Sequence, residues 1–349
     1  MAPLPLTLAC GPYDRTRALA DGRVPVEGTD LRYIALDPEE IFFRMLGHGE
    51  FDVSELSLSS YLLTHLAGGP MGGPMGGPIG GPIGGTASPL IAIPVFPSRS
   101  FRHSGVYVRD GSDVARPEDL AGRTVGVAEY QLTANVWIRG ILQEYHGVPA
   151  RSVRYRTGGL NQPGRQEKIP LDLPPDIDVR PIPPGETLAD LLARGEIDAI
   201  YSPRAPIDPI APGGGRLRRL FTDPRRAEQD YYRASGVFPV MHVVVLQRRL
   251  YETNRWLAQS LMKAFEKAKG LAYADLQRTA ALAVTLPWVR EEYEASVDLL
   301  GPDYWSYGLA PNQPVLETFI RYADEQGMIG RRPDPAELFA PETLHSVII

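Results

Sequence analysis

Two segments of the chain share one local pattern, and this repeat restricts the folds that the sequence can adopt. The segments are FRMLGHGEFDVSELSLSS at 43–60 and LADLLARGEIDAIYSPRAP at 188–206. In each, an amphipathic helix ends at a glycine, Gly49 or Gly195, which suits a C-cap with positive φ. A buried strand follows, and polar side chains come after it. Because ligands of open α/β sheets bind beyond the carboxyl ends of strands, the repeat predicts two equivalent strand ends facing each other across a cleft.

Strands and helices alternate along most of the chain. We expect strands at 6–9, 31–35, 52–56, 90–95, 104–108, 124–127, 153–156, 179–182, 199–201 and 240–246. Helical periodicity is clearest at 38–46, 132–145, 187–193, 251–275 and 315–326. Alternation with short connections predicts a mostly parallel sheet in each lobe of an α/β protein.

The length of 349 residues exceeds the usual size of a single hydrophobic core, so two lobes are expected. The order of loop, strand, polar turn and helix at 117–148 resembles the opening of the second lobe in bilobal solute-binding proteins. We therefore expect lobe 1 to contain residues 1–100 and 240–349, and lobe 2 to contain 104–237. Two extended segments, near 97–104 and 237–245, are the predicted hinge.

Charge and cysteine content exclude several classes of protein. The net charge of -6 provides no basic field for nucleic acid or an anionic membrane. Cys10 is the single cysteine, so no internal disulfide can form. The first ten residues lack the positive region and apolar stretch of a signal peptide, and no segment approaches the roughly 18 apolar residues of a membrane span. We expect a cytoplasmic protein, and the sequence is compatible with a homo-oligomer.

Residues 68–85 read GGPMGGPMGGPIGGPIGG, a four-residue unit repeated four times. Glycine and proline at this density favour a mobile surface loop or linker over a packed element. Loops tolerate insertion well, so we expect a lengthened loop without a function of its own. The alternative is that its Met and Ile side chains make it an adhesive lid.

Several long stretches carry a family resemblance. They are PYDRTRALADGRVPVEGTDLRY, PEEIFFRML, GEFDVSELSLSSYL, IPVFPSRSFRHSGVYV, VGVAEYQLTANVWIRGIL, TGGLNQPGRQEKIPL and IDAIYSPRAP. Together they make the chain similar to the 4,5-dihydroxyphthalate decarboxylase family, closely over roughly residues 6–206 and loosely beyond. The resemblance implies a type 2 periplasmic-binding-protein-like fold with a hinge and an interlobe cleft. The Gly/Pro repeat departs from the family pattern.

The resemblance also implies an activity, the non-oxidative decarboxylation of a hydroxylated aromatic acid such as 4,5-dihydroxyphthalate. The reaction needs an acid that protonates the ring carbon and a cation that orients a second carboxylate. It also needs a base, or a group that stabilises the phenolate, at a ring hydroxyl. The phenol is its own electron source, so we expect no organic cofactor. The alternative function is a solute-binding or sensing protein for a small aromatic or carboxylate ligand, without catalysis.

We expect no metal site, because the six histidines are scattered and the sequence has no HExxH motif or cysteine cluster. The alternative is a divalent ion chelated by a catecholic substrate and held by Asp14, Glu55 and His103.

The predicted hinge segment PSRSFRHS, at 97–104, concentrates candidate side chains. Arg99 or Arg102 can clamp a carboxylate of the substrate. His103 titrates near neutral pH and is the first candidate for the general acid, largely on the strength of the resemblance. The alternative is a surface loop with solvated arginines and a histidine bonded to the backbone.

Two further candidate groups follow predicted strands in lobe 1. In PYDRTR, Arg17 can bind substrate while Asp14 orients it or a neighbouring histidine; the alternative is an Asp N-cap with exposed arginines. In SELSLSS, Glu55 can accept a phenolic proton and Ser57 can donate a hydrogen bond. The alternative for Glu55 is an acidic residue at a helix N-terminus.

The remaining candidates for substrate binding are Glu129, Tyr130, Thr133, Arg204 and His242. The first three lie in the turn before the helix at 132–145, where unpaired backbone N–H groups can bind a carboxylate. Arg204 follows the repeated strand of lobe 2 and can serve as a second carboxylate anchor. His242 interrupts the apolar run VMHVVVL, where a histidine is more typical of a hydrogen-bonded interior residue.

Overall fold

The structure is a computed structural model that describes residues 2–67, 88–207 and 216–345. The Gly/Pro repeat at 68–85 lies outside the described residues. The chain divides into two compact units. Unit 1 comprises Met1–Arg99, Val240–Leu316 and Pro333–Ile349, and unit 2 comprises Ser100–Pro239 and Glu317–Arg332.

The described residues contain eleven strands. They are β1 (Leu4–Cys10), β2 (Thr29–Ala35), β3 (Val53–Ser57), β4 (Leu90–Arg99), β5 (Val106–Arg109), β6 (Thr124–Val127), β7 (Arg154–Thr157), β8 (Val179–Pro181), β9 (Ala199–Tyr201), β10 (Leu217–Arg219) and β11 (Val240–Gln247).

Ten α-helices lie in the same described ranges. They are α1 (Asp14–Ala20), α2 (Pro38–His48), α3 (Leu58–Ala67), α4 (Thr133–His146), α5 (Leu188–Arg194), α6 (Pro224–Ser235), α7 (Arg248–Thr253), α8 (Trp256–Leu276), α9 (Val289–Leu300) and α10 (Gln313–Glu325). None of these helices combines the length and the apolar character that a membrane span requires.

Unit 1 is built on a five-stranded sheet with the order β2-β1-β3-β11-β4. β1 is parallel to both β2 and β3, whereas β11 is antiparallel to β3 and β4. β3 is buried along its whole length because it has a partner strand on each side and helices cover the sheet. Its carboxyl end is therefore a protected place for a polar side chain.

Unit 2 has a six-stranded sheet with the order β10-β5-β9-β6-β7-β8. β5 is antiparallel to β9 and β10, and β6 is parallel to β7 and β9. Read as β7-β6-β9-β5-β10, the sheet has the same strand order and directions as the sheet of unit 1. β3 and β9, the strands of the repeated sequence pattern, occupy equivalent places.

One contact explains why the repeated pattern carries an aspartate. The backbone N–H of Thr7 on β1 donates to Asp52 Oδ2 at 2.9 Å, and the N–H of Thr124 on β6 donates to Asp198 Oδ2 at 2.8 Å. Each aspartate thus ties the start of its strand to the parallel neighbour. The predicted helix ends are confirmed, since Gly49 and Gly195 cap α2 and α5 with φ of 59° and 75°.

Most predicted elements are present, with boundary shifts of a few residues. The predicted helix at 251–275 is interrupted, because α7 ends at Thr253 and α8 begins at Trp256. The short strand β10 and the helices α1, α3, α6 and α9 are not among the elements predicted from sequence. The sheets are mostly parallel, but each contains one antiparallel strand that the alternation of elements did not specify.

The second part of α10 and the residues after it, Glu317–Arg332, belong to unit 2. The predicted lobe 1 contains all of 240–349, so the structure differs from the prediction here. The reason is packing against α4, where the ring of Trp137 lies 5.4 Å from Phe319 and 5.7 Å from Tyr322 between centroids. An amphipathic pattern shows that a helix has an apolar face, but it does not identify what covers that face.

Candidate functional site

A fully buried carboxylate lies near the carboxyl end of β3 in unit 1. Glu55 has no exposed surface, and each of its oxygens accepts two hydrogen bonds. Oε2 accepts from the N–H of Gly11 at 2.9 Å and from Cys10 Sγ at 3.4 Å. Oε1 accepts from the hydroxyl of Tyr13 at 2.8 Å and lies 2.5 Å from Nδ1 of His242.

The surroundings of Glu55 keep it ionised. Burial raises the pKa of its carboxyl, but the charge of His242 and the hydrogen bonds from His242, Gly11 and Tyr13 outweigh burial and lower that pKa overall. Burial and the negative charge of Glu55 raise the pKa of Tyr13 and of Cys10, so both stay protonated and act as donors.

His242 reaches Glu55 because of the register between β3 and β11. Val244 pairs with Glu55 and His242 pairs with Ser57, which makes Glu55 and His242 diagonal neighbours on one face of the sheet. The imidazole also packs edge-on against Phe42, with centroids 4.9 Å apart. Its side chain is 19% exposed. Nδ1 is used by Glu55, and Nε2 has no hydrogen-bond partner among the residues described.

A cation lies next to this pair. The guanidinium of Arg15 stacks between the rings of Tyr13 and Trp305, with Cζ 4.1 Å and 4.2 Å from the two centroids. Its Nε donates to the carbonyl of Pro97 at 2.6 Å, and its Nη1 lies 3.1 Å from Asp14 Oδ1. Tyr13 therefore contacts both the arginine and, through its hydroxyl, Glu55.

The structure brings together three of the predicted site residues in unit 1, Glu55, His242 and Ser57. Asp14 and Arg17 are exposed, and Asp14 pairs with Arg15. Arg99 is buried and donates from Nη2 to the carbonyl of Ser306 at 2.8 Å and to the side chain of Asn312.

Ser57 is buried at the end of β3, where its Oγ accepts from the N–H of Ser60 at 3.4 Å. It pairs with His242 across the two strands, so it lies beside the Glu55–His242 pair.

His103, the predicted general acid, lies in unit 2 among aromatic rings. Its side chain is 4% exposed, and its ring is 5.2 Å from Phe221 and 5.3 Å from Tyr231 between centroids. Nδ1 is buried without a partner among the described residues. Burial, with a smaller effect from the charge of His146, lowers the pKa of His103 to about 4. An imidazole with this pKa is neutral at pH 7, and the acid role of His103 stays a prediction.

The other unit 2 candidates make contacts within the chain. Glu129 is buried and accepts from Arg165 Nη2 at 2.7 Å and from Lys168 Nζ at 2.5 Å. Burial lowers the pKa of Arg102 to about 10 despite the opposing charge of Glu228. Arg204 is exposed at the end of β9.

Tyr130 and Thr133 are both buried at the start of α4. The hydroxyl of Tyr130 donates to the carbonyl of Gln326 at 3.1 Å, which ties this turn to the C-terminal segment of unit 2. In the described part of the chain, no three His, Cys, Asp or Glu side chains are grouped so that they could hold a metal ion.

Tyr13, Arg15 and Trp305 contribute to the candidate site but are not among the residues predicted from sequence. Tyr13 and Arg15 belong to the PYDRTR segment, in which only Asp14 and Arg17 are predicted site residues. The position of that segment directly after the first strand is a signal that applies equally to Tyr13, Asp14, Arg15 and Arg17. Nothing in the local sequence around Trp305 indicates that it stacks on a residue near the start of the chain.

Two named proteins are similar to the chain. A 4,5-dihydroxyphthalate decarboxylase from Comamonas testosteroni is 42% identical over 346 residues, which cover 99% of both chains. A 4,5-dihydroxyphthalate decarboxylase from Pseudomonas putida is 44% identical over 234 residues, covering 67% of this chain and 83% of its own. No family model matches the chain.

Among solved structures, a periplasmic sulfonate-binding protein from Methylobacillus flagellatus KT superimposes with a TM-score of 0.50 at 13% identity. The match covers 98% of this chain and 93% of that chain. At this identity the likeness shows the fold alone, and the predicted periplasmic-binding-protein-like fold is confirmed.

Proposed function

Because this chain belongs to the 4,5-dihydroxyphthalate decarboxylase family, we propose that it is a carboxy-lyase that decarboxylates a hydroxylated aromatic acid such as 4,5-dihydroxyphthalate. The observation that carries the proposal is the pairing of the buried Glu55 with the partly exposed His242, with one imidazole nitrogen bound to the carboxylate and the other without a partner among the described residues. Such a pair is suited to moving a proton at one defined position.

The reaction replaces a carboxylate with a proton. A ring hydroxyl para to the leaving group supplies electron density, and the ring carbon that bears the carboxylate takes a proton and becomes tetrahedral. The bond from that carbon to the carboxylate then breaks, its electron pair returns to the ring, and CO2 leaves. One proton is consumed for each CO2 released, and no electrons are exchanged with another molecule.

We assign the proton donor to His242, with Nε2–H directed at the substrate carbon. The side chain is partly exposed, so a substrate can reach it. Glu55 is fully buried, and each of its oxygens accepts two hydrogen bonds from protein groups, so its role is to orient the imidazole and to stabilise the positive charge of its protonated form. This assignment replaces two roles expected from sequence, the acid role of His103 and direct acceptance of a phenolic proton by Glu55.

The test uses the full chain with 4,5-dihydroxyphthalate, following CO2 release and formation of 3,4-dihydroxybenzoate. We expect turnover by the wild type and a loss of kcat of about 100-fold or more in His242→Asn, the usual range for removal of a general acid. His48→Asn is the matched control, because His48 is an exposed histidine of the same unit, and it should keep wild-type kcat.

Glu55→Gln should lower kcat more than tenfold while KM changes less than about threefold, as expected for a residue that acts through His242. Normal turnover by His242→Asn would remove the histidine from the mechanism. Tight binding of aromatic acids without CO2 release across a panel of hydroxybenzoates and hydroxyphthalates would favour the alternative of a binding protein. The predicted interlobe position of the substrate and the predicted cytoplasmic location stay predictions.

A further inference from the structure

The guanidinium of Arg15 is restrained by two stacking contacts and a hydrogen bond. It stacks on Tyr13 and Trp305, and its Nε donates to the carbonyl of Pro97. Trp305 is itself fixed, because its Nε1 donates to the carbonyl of Phe96 at 2.9 Å. The stacking and the hydrogen bond fix the plane and the direction of the guanidinium before any ligand binds.

One edge of this guanidinium has no protein partner. Nε is bonded to Pro97 and Nη1 to Asp14, whereas Nη2 has no hydrogen-bond partner among the described residues. The Arg15 side chain is 15% exposed, so the remaining nitrogen is open to a small molecule. A fixed arginine with an unused N–H edge is a typical binding site for a carboxylate.

The two unit 1 arginines that the sequence predicts to bind substrate do not share these properties. Arg99 donates to Ser306 and Asn312, and Arg17 is exposed on α1.

Tyr13 places the Arg15 cation close to the proposed proton donor. Its ring stacks on Arg15, and its hydroxyl donates to the oxygen of Glu55 that also contacts His242. The cation and the imidazole are thus connected through a single tyrosine and a single carboxylate.

We infer that Arg15 binds the carboxylate that stays on the ring and so positions the ring for loss of the other carboxylate. This inference rests on the proposed function and names a substrate-positioning residue of the same site. The leaving carboxylate loses its negative charge as CO2 forms, so a cation bound to it would stabilise the ground state more than the transition state. A carboxylate that keeps its charge throughout is the better anchor, because Arg15 then positions the ring at no cost to the reaction.

The test compares two ligands that differ only in that carboxylate. 3,4-Dihydroxybenzoate is the product that remains when 4,5-dihydroxyphthalate loses one carboxylate, and catechol lacks both. By calorimetry we expect the wild type to bind 3,4-dihydroxybenzoate at least about tenfold more tightly than catechol. Arg15→Met should abolish this preference and raise KM for 4,5-dihydroxyphthalate about tenfold or more, whereas Arg23→Met, at an exposed arginine paired only with Asp21, should change neither.

A second variant tests the inference without altering Arg15. Asp14→Asn removes the carboxylate that competes for Nη1, so it should strengthen binding of 3,4-dihydroxybenzoate severalfold and leave catechol unchanged. An unchanged preference in both Arg15→Met and Asp14→Asn would overturn the inference while leaving turnover, and so the proposed function, intact. Absence of turnover by the wild type would instead refute the proposed function, and the ligand comparison would still report whether Arg15 binds the carboxylate.

Discussion

Two histidines of this chain have opposite electrostatic surroundings. His242 lies 2.5 Å from an ionised carboxylate and is partly exposed, whereas His103 is buried between Phe221 and Tyr231 with Nδ1 unpartnered among the described residues. A carboxylate stabilises the charged form of an imidazole, and a dry aromatic pocket disfavours it. The same side chain is therefore suited to proton transfer at one position and to packing at the other.

The lowered pKa of His103 makes the free energy of unfolding depend on pH. Its pKa is about 4 in the folded chain against 6.5 for the free side chain, so the unfolded chain binds more protons between these values. The contribution of His103 to stability is full above pH 6.5 and decreases as the pH falls towards 4. Between pH 7.5 and 5 the loss amounts to about 2 kcal/mol.

We expect His103→Phe to remove this part of the pH dependence while keeping decarboxylase turnover within about twofold, because phenylalanine cannot be protonated and fits among aromatic rings. The measurement is the free energy of unfolding in urea at the two pH values, with His48→Phe as the exposed control. An unchanged pH dependence would show that His103 is charged in the folded state, and loss of turnover would restore it as a candidate for the acid.

At the scale of elements, helix α4 has a glycine, Gly140, packed against Tyr322 of α10. A β-carbon added to Gly140 would lie 2.0–2.4 Å from ring atoms of Tyr322, far inside van der Waals contact. The absent side chain is therefore what lets the tyrosine ring pack against α4. Gly270, inside α8, has no neighbouring atom within 4 Å of the equivalent position.

These two glycines give a matched pair of substitutions. Gly270→Ala should stabilise the chain by roughly 0.5–1 kcal/mol, since alanine has the higher helix propensity and meets no obstacle. Gly140→Ala should destabilise it by roughly 1–3 kcal/mol, because the overlap with Tyr322 forces the ring or the helix to move. Chemical unfolding of both variants is the check, and stabilisation by Gly140→Ala would mean that α4 and α10 are not packed as described.

At the scale of the whole molecule, the chain passes between the two units four times, at 99/100, 239/240, 316/317 and 332/333. The last two passages enclose Glu317–Arg332, which completes unit 2. Gln326 joins this segment to α4 through two hydrogen bonds, one from Arg139 Nε at 2.7 Å and one to the carbonyl of Val136 at 2.9 Å. The stability of unit 2 therefore depends on residues near the C-terminus.

Tyr322→Ala tests this dependence. Removing a buried aromatic side chain costs about 3 kcal/mol or more, and we expect faster hydrogen exchange in α4 while exchange in β1 and β3 stays as in the wild type. Arg332→Ala, at a half-exposed ion pair with Asp324, should leave exchange unchanged in both units. Faster exchange confined to unit 1 would contradict the grouping of this segment with unit 2.

Sequence patterns alone predict the alternation of strands and helices, the repeat that marks β3 and β9, and the family. Those features are local or rest on long matching stretches, so periodicity, glycine caps and motif order are enough to find them. Which candidate side chains meet depends instead on the folded chain. Glu55 and His242 are separated by 187 positions, and only the antiparallel register of β11 against β3 makes them neighbours. Burial also lowers the pKa of His103, because a pKa depends on the atoms around a group, and those atoms come from distant parts of the chain.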